Sequence, residues 1–192
     1  MKKLYLFILL IFFSCTKISK EIILGTISDS AMVSSAHPIA SQVGIDVLKQ
    51  GGNAFDAAIA VKFALSVVHP SAGNIGGGGF LVYRENNGNV GTLDFREKAP
   101  ISATKNMYLK ENEKYKIELN NEEDEYIVDG KKSREGLLSS GVPGTVDGMV
   151  KIHEKFSLLS WESLIQPAIN LANHGVVLTK REAEGLNKTR KK

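Results

Sequence analysis

Hydrophobic and polar positions along this chain alternate between two periods, and the change of period marks its elements. After an apolar leader, Ala31 to Ala36 is a short run of small and apolar residues that predicts a first strand. His37-Pro38 then opens a helix, since proline is tolerated in a first turn. Ile39, Val43 and Val47 recur at four-residue spacing and predict its buried face. Gly51-Gly52 ends it in a glycine C-cap. Asn53 is a good N-cap for a second helix over Ala54 to Val68, in which only Asp56 and Lys62 are charged. A helix apolar nearly all round is a buried one, and His69-Pro70 stops it.

The period then becomes two. Phe80 to Tyr83 and Val90 to Phe95 flank Asn86-Asn87-Gly88-Asn89, and Asn-Gly between apolar runs predicts a hairpin. Met107 to Gly130 is polar, carries the acidic cluster Glu122 to Glu125, and reads as a solvated excursion. Val142-Pro143-Gly144-Thr145 predicts a turn into a helix capped by Thr145. Trp161 to Asn173 has Leu164, Ile165, Ala168, Leu171 and Ala172 on one side, with Pro167 dividing it into two short helices and Gly175 closing the second. Helices followed by paired strands, without βαβα alternation, give an α+β class. Lys188 to Lys192 reads as a solvated basic end.

Composition narrows the function classes. With 43% hydrophobic and 23% charged residues over 192 positions, the chain is that of a globular protein. A formal charge of +3, scattered along the sequence, gives no footprint for nucleic acid. The leader has Lys2-Lys3, an apolar run from Leu4 to Phe13, and Ser14-Cys15. The run is shorter than the roughly 20 residues a membrane span needs and fits an export signal over residues 1–15. Ser14-Cys15 resembles a bacterial lipoprotein cleavage site, with Cys15 as the lipidated first residue and Phe12 where that motif prefers leucine. Ordinary secretion and an uncleaved anchor are the alternatives. Either way the protein is expected to be exported, to the periplasm or cell envelope. A single cysteine excludes an internal disulfide.

Arg96 is the first candidate for chemistry, just past the second strand of the hairpin. A guanidinium matches a carboxylate with two parallel donors and keeps its charge at any working pH. Glu97 beside it is suited to accept hydrogen bonds from a substrate ammonium. The same pair also suits a plain surface salt bridge at a strand end, worth little. The run Gly76 to Gly79 lacks the GxxxxGK[ST] pattern and leads into a strand rather than a helix, so tight packing or a turn under a site fits it better than phosphate binding. His37, His69, His153 and His174 share no metal-ligand spacing. No residue stands out as a nucleophile, and no cofactor is implied.

Several longer segments, in order, resemble the γ-glutamyltranspeptidases. They are Met32-Val33 with His37-Pro38, Gly51-Gly52-Asn53-Ala54 with Asp56-Ala57-Ala58, the stretch from His69-Pro70-Ser71-Ala72-Gly73 through Gly76 to Phe80, and Asp94-Phe95-Arg96-Glu97-Lys98-Ala99-Pro100. Ser133-Arg134-Glu135-Gly136, Gly141 to Val146 and Gln166-Pro167-Ala168 complete the pattern, which covers roughly residues 25–185. The resemblance implies an N-terminal-nucleophile hydrolase fold, a four-layer αββα sandwich that this chain would fill only in part. It implies a precursor that cleaves itself into two subunits, and γ-glutamyl transfer from glutathione or a related donor to water or to an amino-acid or peptide acceptor. It implies that Arg96 grips the donor's α-carboxylate, with Glu97 in support. The family's threonine nucleophile would lie beyond this chain, so residues 25–192 read as the first part of the large subunit, inactive and poorly folded alone. A lipid-anchored binding protein or a structural lipoprotein retaining the fold is the alternative.

Overall fold

The computed structural model describes residues 25, 27–109, 116–119, 122–125 and 131–190. The leader and Cys15 therefore lie outside the described residues. Helix α1 spans Pro38–Lys49 and α2 spans Ala54–Val68. The hairpin strands are β1 (Phe80–Arg84) and β2 (Val90–Asp94), and a second hairpin follows as β3 (Lys116–Leu119) and β4 (Glu122–Glu125). A 3-10 turn at Leu137–Ser139 precedes α3 (Thr145–Phe156), α4 (Trp161–His174) and α5 (Lys180–Thr189). Helices beside antiparallel pairs make the class α+β, as expected. Among the described residues no helix is long and apolar enough to cross a membrane.

Helix α2 is the hub, with α1, α3 and α4 packed around it. Asp56, Ala57, Ile59, Ala60, Ala64 and Val68 are all buried on it, which is why its sequence lacks a polar face. Its N-terminus is a reciprocal capping box. The Asn53 side-chain oxygen accepts from the Phe55 and Asp56 N–H groups at 2.8 and 3.0 Å, and Asp56 accepts from the Asn53 N–H at 2.8 Å. Asn53 also donates to the Phe156 carbonyl at 2.6 Å, lashing the start of α2 to the end of α3.

The structure corrects several expectations. Residues 31–35 form no strand. Ser35 instead hydrogen-bonds the His37 carbonyl and the Ser41 hydroxyl, local bonds that guide entry into α1 and compete with strand pairing. The buried stripe of α1 is Ala40, Gly44 and Val47, with Ile39 and Val43 at its margin. Small residues win the centre because α2 lies so close that a Cβ on Gly44 would stand 2.7 Å from Val61 Cγ2. Within the excursion from Met107 to Gly130, Glu122–Glu125 pairs antiparallel with Lys116–Leu119, an element the polar composition did not predict. Pro167 does not divide α4, which is continuous from Trp161 to His174. The proline forfeits one helical hydrogen bond, and the burial of Leu164 and Ala168 on either side of it holds the helix on α2 regardless.

Helix α5 reaches Thr189, and Lys188 to Arg190 are exposed, in line with a solvated basic end among the described residues. Thr179 and Glu182 form its capping box, and the Thr179 hydroxyl above all holds the Glu182 carboxyl below the usual range. The His37 Nδ1 accepts from the Ile39 N–H, which leaves Nε2 facing Glu182 at 3.4 Å and ties α5 to the start of α1.

Candidate functional site

The site is built around Phe95. Asn86 to Asn89 makes the hairpin turn as expected, with Gly88 at a φ of +92°. The ladder pairs Phe80 with Asp94 and continues one step further, the Phe95 N–H donating to the Gly79 carbonyl at 3.0 Å. Phe95 turns into the core with Met149, Ile152 and Leu164, only 9% exposed. Side chains alternate along extended backbone. Burying Phe95 therefore drives Asp94 and Arg96 to the outer face, together with Phe80.

The glycines exist to let this segment pass. A Cβ on Gly78 would lie 2.5 Å from Arg96 Cα and from the Phe95 carbonyl oxygen. One on Gly144 would collide with the Phe95 carbonyl, and one on Gly148 with the Phe95 ring. Residues 95–97 thus run between the glycine loop and the start of α3. Polar bonds fix the same sandwich. The Gly144 N–H donates to the Gly77 carbonyl at 2.7 Å, and Lys98 and Val142 exchange backbone bonds at 3.1 and 2.8 Å. Thr145 is not the N-cap of α3, a position taken by Gly144. Its buried hydroxyl donates to the Gly76 carbonyl at 2.6 Å, so it holds the glycine loop rather than its own helix.

Above this support lies an open cleft of about 560 Å3 between residues 94–98 and the Val142–Gly144 turn. Asp147 and Lys151 line its other wall and pair with each other at 2.7 Å. Both sequence candidates, Arg96 and Glu97, line the cleft and are exposed. The Arg96 guanidinium lies 5.0 Å above the Phe80 ring, and its Nε is 3.5 Å from Asp94 Oδ1. That same oxygen accepts the Arg96 backbone N–H at 3.0 Å, the bond chiefly responsible for holding the Asp94 carboxyl below its ordinary range. Sequence reasoning passed over Asp94 and Phe80 as site residues. Their signal was the two-residue step from Asp94 to Arg96 and the hairpin register opposite Phe80. Among the described residues no cluster of side chains is arranged to hold a metal ion.

The γ-glutamyltranspeptidase family model matches residues 40–192. The chain belongs to the γ-glutamyltranspeptidase family. The glutathione hydrolase proenzyme of Pseudomonas sp. strain A14 is 47% identical over 159 residues, covering 83% of this chain and 25% of that protein. That of Escherichia coli K12 is 44% identical over 155 residues, covering 81% and 24%. The crystal structure of Helicobacter pylori γ-glutamyltranspeptidase superposes with a TM-score of 0.76 at 45% identity, over 88% of this chain and 44% of that one. The chain thus spans about a quarter of the length of these curated relatives. The region matched in this γ-glutamyltranspeptidase family member includes the whole Gly76–Gly79, Phe95–Lys98 and Val142–Thr145 assembly.

Proposed function

We propose that this chain is the first part of the large subunit of a γ-glutamyltranspeptidase, and that it supplies the grip on the donor's glutamate end. The observation that carries the reading is Arg96, clamped at its backbone between two glycine segments and presenting its guanidinium at a cleft. A bidentate guanidinium–carboxylate contact needs such a fixed base, because geometry as well as charge gives it strength. In this reading Arg96 binds the α-carboxylate of glutathione or another γ-glutamyl donor. Glu97, at the same cleft, accepts from the α-ammonium.

The remainder of the chemistry is assigned to the rest of the precursor. Family membership supports an N-terminal-nucleophile αββα sandwich of which this segment forms some helices and strands. The small subunit of the same precursor would bring the threonine that forms the acyl-enzyme, with its own α-amine as base. Water or an amino-acid or peptide acceptor would then release the γ-glutamyl group. Two assays test the assignment together. The complete precursor cleaves itself and hydrolyses glutathione and a chromogenic γ-glutamyl anilide. Residues 25–192 alone release no product above a buffer blank and stay uncleaved. Turnover by the segment alone, or none by the complete protein, overturns it.

We also assign Cys15 as a lipid attachment point, which makes the enzyme an exported lipoprotein of the cell envelope. The support is Lys2-Lys3, the apolar run and Ser14-Cys15. A single acyl chain anchors only marginally, whereas two or more hold stably. Mass spectrometry of the mature protein is expected to find Cys15 as an acylated N-terminal residue. A free Cys15 thiol, or a first residue elsewhere, excludes the anchor.

A further inference from the structure

We propose that Asp94 is a positioning residue for Arg96, which together with the Phe80 ring fixes the edge of the guanidinium that meets a carboxylate. The inference rests on the reading of Arg96 as the carboxylate grip. Three observations carry it. The burial of Phe95 puts Asp94 and Arg96 on one face, and the ladder sets Phe80 directly opposite Asp94. Asp94 Oδ1 faces Arg96 Nε at 3.5 Å while also accepting the Arg96 backbone N–H at 3.0 Å. The Phe80 ring, itself 64% exposed, covers one face of the guanidinium with its centroid 5.0 Å from Cζ. An arginine can present a carboxylate with either the edge that includes Nε or the edge made by its two terminal nitrogens. With Nε turned to Asp94 and one face on Phe80, the terminal Nη1–Nη2 edge remains for the ligand. The donor's α-carboxylate is therefore met end-on.

An exposed ion pair of this kind contributes little to stability. Its value lies in orientation, because a long side chain held in one pose loses less freedom when it binds. The backbone bond from Arg96 keeps the Asp94 carboxyl below its usual range, so it is an anion at neutral pH. Asp94 also makes a local turn through its bond two residues on, a structural role any test must separate.

Asp94→Ser does separate them. A serine hydroxyl can still accept the Arg96 N–H and keep the turn, but it is too short to reach Nε. Asp94→Asn keeps an oxygen at both contacts. In the complete enzyme, Asp94→Ser is expected to raise the KM for a γ-glutamyl donor roughly five- to twentyfold with kcat within about twofold of wild type. Asp94→Asn should restore KM to within about threefold, and in an Arg96→Lys background Asp94→Ser should add less than about twofold. An unchanged KM in Asp94→Ser, a loss confined to kcat, or the same loss in the Arg96→Lys background overturns the positioning role. If Arg96→Ala itself leaves donor kinetics unchanged, the carboxylate grip falls and the positioning role falls with it. If only the Asp94 variants are silent, the grip stands alone.

Discussion

Replacing Arg96 with alanine in the complete enzyme lowers kcat/KM for a γ-glutamyl donor by roughly 30- to 150-fold, about 2–3 kcal/mol. Losing one member of a desolvated charge pair costs about 2–5 kcal/mol, much of it from leaving the other charge unpaired. The lower half of that range applies because the Arg96 side chain is 62% exposed. Arg96→Lys keeps the charge and loses the planar fork, so most of the deficit should remain. Glu97→Ala should act in the same direction but less, since it removes one acceptor for the ammonium and leaves the carboxylate contact intact. The check is a donor analogue without the α-carboxylate. Wild type and Arg96→Ala should use it almost equally, so that the gap seen with the true donor closes. Donor kinetics within twofold of wild type in a folded Arg96→Ala protein would make Arg96 a surface charge and nothing more.

The cleft's charge arrangement gives the prediction its specificity. Asp94 is engaged by Arg96, and Lys151 by Asp147. Glu97 and Lys98 stand beside them on the same wall. A site of mixed sign, supported on glycine-clamped backbone, suits a ligand carrying both charges of an amino acid. A purely cationic cleft would favour polyanions instead.

Features that depend on local chemistry were legible in the sequence. Asn53 caps α2, Asn87-Gly88 turns the hairpin, and Arg96 lies two residues past the end of β2. A long-range contact writes no local signal, and there the sequence misled. Thr145 looks like a helix cap because threonine often is one, and only the fold reveals Gly76 within reach of its hydroxyl. Pro167 looks like a break because its own turn argues for one, while the packing of α4 on α2 decides otherwise. The glycine run reads as tight packing or a turn beneath a site. The close approach of Gly77, Gly78 and Gly79 to residues 95–97 supports that reading, with Phe95 against both Gly78 and Gly79. Asp94 stands in the same motif as Arg96, but only the 3.5 Å approach of its Oδ1 to the Arg96 Nε marks it as part of the site.

Asp56 should be the most sensitive position for stability among the described residues. It is fully buried in the first turn of α2, and both of its side-chain oxygens are in use. Oδ2 accepts from Asn53 at 2.8 Å and from Leu158 at 3.2 Å, while Oδ1 accepts from Leu158 at 3.2 Å and Leu159 at 3.4 Å. One side chain thus satisfies three backbone N–H groups from two segments about a hundred residues apart in sequence. Asp56→Ala strands those donors in a site closed to water, at about 1–3 kcal/mol for each unsatisfied group. A loss of at least about 3 kcal/mol is expected, a large share of the 5–15 kcal/mol that a typical domain possesses. Asp56→Asn is the sharper test, because size and shape are kept. Whichever way the amide is flipped, its NH2 faces a backbone N–H, so it too should lose about 1–3 kcal/mol. Urea unfolding of the complete protein measures both. If Asp56→Asn unfolds at the wild-type midpoint, the three N–H groups have other partners and the bracket between α2 and the α3–α4 turn does not depend on this carboxyl.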